Sequence, residues 1–74
     1  MIDYKFKVDD RVRVSTRPEH SSAKINDVGI IKHRHLFWRD YFIEFDRLDT
    51  NNKPYCGWIA ESNLELENQL MGWK

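Results

Sequence analysis

Apolar side chains recur at every second position in short runs along this 74-residue chain, the pattern of strands buried on one face. In the first run Val12 and Val14 share one face, with Arg11 and Arg13 on the other. Phe6 and Val8 continue that parity backwards across Asp9-Asp10, which reads as a turn or bulge. Residues 28–34, Val28 through Arg34, form a second run. In the third, Tyr41, Ile43 and Phe45 face one way while Phe42 and Glu44 face the other. A fourth covers Tyr55 to Ile59, and a short fifth covers Leu64 to Leu66.

The connections sort these runs into an order. Residues 15–27 are polar, include Pro18 and predict a long loop, a feature often tied to function in so small a domain. Residues 35–40 predict a hairpin carrying Phe37 and Trp38 near its tip, and residues 47–54 hold the turn formers Asp49 to Pro54. Ala60 to Asn63 suit a single 3₁₀ turn. Five short strands are too few for a sandwich. They suit a small, partly open barrel, because closure removes exposed edges. The expected division is a barrel over residues 1–66 and a C-terminal tail over 67–74 that holds Leu70, Met71 and Trp73.

Composition excludes several classes. The chain has room for one domain with a modest core. Cys56 is the only cysteine, which excludes an intramolecular disulfide framework and a four-cysteine zinc site and fits a reducing cytoplasm. No apolar run approaches the roughly 20 residues that span a bilayer. The opening Met1 to Lys7 alternates polar and apolar, unlike a signal peptide, so a cytoplasmic location without a membrane partner is expected. Twelve basic residues balance twelve acidic ones, which argues against strong non-specific attraction to nucleic acid. The balance is uneven: residues 1–39 carry +4 and residues 40–74 carry −4.

Two segments carry a resemblance. Val8-Asp9-Asp10-Arg11-Val12-Arg13-Val14, followed by Asp27-Val28-Gly29-Ile30-Ile31, resembles the "GDRVRV … G-x-V" opening of bacterial and phage SH3-like domains, KOW-type domains among them. It is also similar to the small SH3-like subunits that accompany ferredoxin-dependent redox enzymes. Asp9 stands where those families prefer glycine, and Gly29 fits close backbone packing. Gly57-Trp58-Ile59-Ala60-Glu61-Ser62-Asn63-Leu64 resembles the "G-[WY]-I-P-x-N-Y-V" end of eukaryotic SH3 domains. Ala60 replaces the proline that lines their groove, Leu64 falls near their groove tyrosine, and their ALYDY stretch and paired tryptophans are missing. The resemblance implies an all-β, five-stranded SH3-like barrel without most of the chemistry of PxxP recognition. The compact chain also resembles phage or mobile-element products.

Candidate sites follow from residue types. His33 and His35 share a strand face, but zinc needs three or four ligands. His20 and Cys56 are the only obvious additions and no spacing fixes them, so no metal or cofactor is expected. Ser21, Ser22 and Cys56 are the possible nucleophiles, yet no motif joins them to a base, and Gly29, Gly57 and Gly72 build no phosphate loop. No catalysis is expected. Arg11, Arg13, Lys32 and Arg34, with Arg17 and Arg39 beside them, either line a nucleic-acid-binding face or pair with Glu44, Asp46 and Glu65.

Of ten aromatic residues, Phe6, Tyr41, Phe45 and Trp58 are expected in the core. Phe37, Trp38, Phe42, Tyr55 and Trp73 are left for loops, the outer face or the tail. Leu70 and Trp73 either stay with a free tail or cover the open end of the barrel. Exposed aromatics beside arginine have the composition of interface hot spots. The expectation is a protein-interaction module, an accessory subunit or a phage-encoded modulator of a host protein. Phe37, Trp38 and Arg39 would anchor the partner, and Arg17, Glu19 and His20 would form the polar rim. The alternative is a nucleic-acid-binding barrel, and self-association through a strand edge or the tail is compatible with either.

Overall fold

The computed structural model describes residues 3–19 and 21–67. His20 and the tail residues Leu70, Met71 and Trp73 lie outside the described residues. Five strands form, β1 Arg11–Val14, β2 Val28–Arg34, β3 Asp40–Leu48, β4 Pro54–Ala60 and β5 Leu64–Leu66, with a 3₁₀ turn at Glu61–Asn63. They make one antiparallel sheet in the order β4-β3-β2-β1-β5. The 3₁₀ turn carries the chain from β4 on one edge to β5 on the other, where Leu64 pairs with Val14 and Leu66 with Val12. No ladder joins β4 to β5 among the described residues, so the sheet is all-β and open at that seam.

Parity builds the core. Val12, Val14, Ile31, Tyr41, Ile43, Phe45, Ile59 and Leu64 turn inward with Phe6 and Ala23. Phe6 and Tyr41 meet edge to face at 5.4 Å between ring centroids, a geometry favoured by the ring quadrupoles. Gly29 sits where any side chain would strike backbone: a Cβ there would lie 2.5 Å from the Glu44 carbonyl oxygen and 2.8 Å from the Phe45 Cα. Asp9 takes φ 77°, the left-handed region that glycine enters without strain. Its N–H donates to the Ile31 carbonyl at 2.8 Å, and the Ile31 N–H donates to Asp10 at 3.0 Å. This turn fastens the N-terminal segment to β2. It also ends the parity expected to include Val8, which is exposed.

Two core assignments change. Trp58 is 46% exposed rather than buried, because its neighbour Ile59 points inward and successive strand residues face opposite ways. Tyr55 turns inward instead, stacking on Phe45 at 5.4 Å. Its hydroxyl lies 3.3 Å from Ser21 Oγ and accepts the Ser22 N–H at 3.2 Å, and the Arg47 guanidinium lies over its ring at 4.4 Å. Arg47 Nε donates to Asp27 at 2.9 Å. The long loop is thereby tied to β3 and β4, while Asn63 Nδ2 donates to Thr16 Oγ1 at 2.8 Å and ties its start to the 3₁₀ turn.

Candidate interaction face

The outer face of β2, β3 and β4 carries a row of rings. Phe42 lies opposite Trp58 and His33 lies opposite Phe42, with centroid separations of 5.3 Å and 5.8 Å. A bulge between Ile31 and His33 shifts the β2 register and re-aims the strand end. His35 then reaches Trp58 at 5.6 Å and Trp38 at 5.7 Å. The result is a continuous aromatic surface, His33–Phe42–Trp58–His35–Trp38, with Phe37 6.1 Å from His35.

The hairpin that carries Trp38 is anchored at its base. The His35 N–H donates to the Asp40 carbonyl at 3.0 Å, and the Phe37 N–H donates to His35 Nδ1 at 3.0 Å. The Tyr4 hydroxyl donates to the His35 carbonyl, and the Arg34 guanidinium lies over the Tyr4 ring at 4.5 Å. Phe37 and Trp38 nevertheless remain 73% and 61% exposed.

Trp58 also lines a groove of about 450 Å³ together with Arg17, Glu19 and Ser21 of the long loop, Asp40 and Asn63. A neighbouring hollow of about 390 Å³ is lined by Lys5, Arg39, Asp40, Glu61 and Ser62. Between them the two hollows collect Arg17, Glu19 and Arg39, and Trp58 links the groove to Trp38. Phe42, Trp58, His33 and His35 belong to this face and are not among the site residues expected from the sequence. The inward parity of Ile59 is the signal that could have turned Trp58 outward.

The basic residues of the nucleic-acid alternative are engaged elsewhere. Arg11 bonds Asp46 and, at 2.5 Å, Glu67, and both carboxylates push its guanidinium pKa up. Arg13 pairs with Glu65, its Nε at 2.9 Å, and donates to Asn26 at 2.7 Å. Lys32 lies 3.5 Å from Glu44. Of these four cations three are ion-paired, and the Arg34 guanidinium lies over the Tyr4 ring.

Below the groove, Tyr41 donates to Glu61 Oε2 at 2.5 Å and accepts the Phe6 N–H at 3.2 Å. The Lys5 N–H donates to the same Glu61 oxygen at 2.8 Å. Burial and then the Glu61 hydrogen bond push the Tyr41 pKa up to about 12. For Glu61, burial acts to raise the pKa, but the Tyr41 hydroxyl, the Lys5 N–H and the nearby Arg39 and Lys5 charges outweigh it and hold the carboxyl low. Burial, then Glu44 and Asp49, push the exposed Cys56 thiol up, which disfavours the reactive thiolate. Among the described residues no group of three or more His, Cys, Asp or Glu side chains is placed to hold a metal. No helix among them is long and apolar enough to cross a membrane.

No protein-family model matches the chain, and neither curated proteins nor solved structures provide a match.

Proposed function

We propose that the chain is an SH3-like barrel acting as a non-catalytic protein-interaction module in the cytoplasm, as an accessory subunit or a modulator of another protein. The observation that carries this reading is the outward Trp58, seated between Phe42 and His35 and continuous with the exposed Trp38. A small domain that leaves this much aromatic surface in water, with Arg17 and Glu19 lining the groove beside Trp58, has the anatomy of an interface core with a polar rim. The SH3-like assignment is supported by the strand order, by the long loop between β1 and β2, and by the 3₁₀ turn leading β5 back to β1. The left-handed Asp9 at the position of a family glycine adds to it.

The test is affinity capture from cells that make the protein, with the Trp38→Ala and Trp58→Ala chains as controls. Each substitution is expected to weaken capture of the bound protein by about 2 kcal/mol. Trp38→Ala should leave the melting temperature within error. Unfolding on Trp38→Ala, or capture indifferent to both changes, sinks the assignment of this face.

A further inference from the structure

Among the described residues the outer edge of β4 is unpaired, and Trp58 and Ala60 of this strand line the groove. The Glu61 N–H donates to the Arg39 carbonyl at 2.8 Å. By the alternation of an antiparallel ladder, Asp40–Ala60 and Phe42–Trp58 are then the pairs that exchange no hydrogen bonds. The N–H and C=O of Trp58 and the N–H of Ala60 therefore point away from β3 with no backbone partner among the described residues, while the Ala60 carbonyl, at the N-cap of the 3₁₀ turn, accepts the first bond of that turn. Natural edge strands are commonly blunted by charge. β4 has no charged side chain, and only Pro54 at its start obstructs pairing. Beside Trp58 and Ala60 lies the groove of about 450 Å³, within the ~300–1,000 Å³ range of ligand clefts.

Charge narrows the occupant. Arg17 lines this groove and also a hollow shared with Lys24 and Ile25, while Arg39 lines the hollow on the other side. Arg17, Lys24 and Arg39 make no ion pair among the described residues. Of the carboxylates along the same path, Glu61 is held by Tyr41 and the Lys5 N–H and Glu19 is partnered, which leaves Asp40. Arg17, Lys24 and Arg39 are thus left without ion pairs among the described residues, although the Arg39 charge helps hold the Glu61 carboxyl low and Glu61, bonded by neutral donors, keeps its own charge.

We propose that the groove takes an extended, carboxylate-bearing segment of a partner protein, which adds as a strand to the edge of β4. Its backbone pairs with the N–H and C=O of Trp58 and with the N–H of Ala60, an apolar side chain lies on the Trp58 ring, and its carboxylates meet Arg17 and Arg39. This rests on the interaction reading and specifies its mode.

Ala60 supplies the discriminating variant. Its φ of −68° and ψ of 146° already match proline, and Ile59 before it is extended, as a residue preceding proline must be. Ala60→Pro therefore removes an outward N–H without disturbing the ladder to β3. The experiment selects binders to the full chain from a displayed library of random linear peptides, then titrates the enriched peptide against variants. Enrichment of acidic sequences with an aromatic or leucine anchor is expected. Ala60→Pro should weaken that peptide about tenfold, Ala60→Gly should not, and Arg17→Glu should weaken it while favouring a lysine-for-glutamate version. Enrichment of basic or proline-rich peptides, or of none, overturns the proposal, as does unchanged binding by Ala60→Pro. If Trp58→Ala abolishes binding while Ala60→Pro does not, the interaction face stands and the edge-strand mode falls. If neither matters, both fall.

Discussion

Gly29 and Asp9 are paired opposites: one residue must lack a side chain, and the other carries one where glycine would be relaxed. At Gly29 the obstruction is the Glu44 carbonyl and the Phe45 Cα, which cannot swing aside as a side-chain tip would. Gly29→Ala is expected to cost about 1–3 kcal/mol, read as a shift of the urea midpoint with unchanged slope. A wild-type midpoint in the variant would mean that β2 and β3 are not this close. At Asp9 the φ of 77° costs about 1–2 kcal/mol for a residue with a Cβ, offset in Asp9→Gly by the greater freedom of the unfolded chain. The net expectation is stabilisation by up to about 1 kcal/mol, and a loss of stability would show that the Asp9 side chain contributes something the turn geometry does not.

Among the elements, the N-terminal segment, β3 and the 3₁₀ turn are joined by the Lys5–Glu61–Tyr41–Phe6 hydrogen bonds. Their titration gives a two-sided pH profile. Glu61 has a folded pKa below its unfolded one, so its contribution is full above the ordinary carboxylate range and is lost as pH falls through that range and below it. Tyr41 has a folded pKa near 12 against 10.0 unfolded, so its contribution is full below about pH 10 and is lost as pH rises towards 12. Chemical denaturation across pH should find Glu61→Gln flatter on the acid side. Ultraviolet titration should find a tyrosinate step near 12 that Tyr41→Phe removes. Persistence of that step in Tyr41→Phe would assign it to another ring.

For the whole molecule, charge is arranged so that the two ends of the chain neutralise each other. Arg11 and Arg13 near the start meet Asp46, Glu65 and Glu67 from the later half, so the +4 and −4 halves do not become two poles. Affinity for nucleic acid scales with the number of phosphates neutralised, and Arg11 and Arg13 are already held by carboxylates. A fluorescence-anisotropy titration with mixed single- and double-stranded DNA and RNA is expected to find no micromolar binding at physiological salt. Micromolar binding that weakens steeply with salt, and that Arg11 and Arg13 substitutions abolish, would restore the nucleic-acid alternative.

Alternation and turn formers made the strands, their succession along the chain and the 3₁₀ turn legible in the sequence, because each is a property of a few neighbouring residues. The face of Trp58 was legible too, from Ile59, but its aromatic bulk argued for burial, and strand parity outweighs residue type. What only the tertiary structure decided is which groups meet. Arg11 finds its carboxylates 35 and 56 positions away, and Trp58 meets Trp38 only through His35, beyond a bulge. The groove arises where β4 ends unpaired beside a loop from the other half of the chain. Such contacts depend on register and strand order, and a period-two pattern reports which way a side chain points but not what lies across from it.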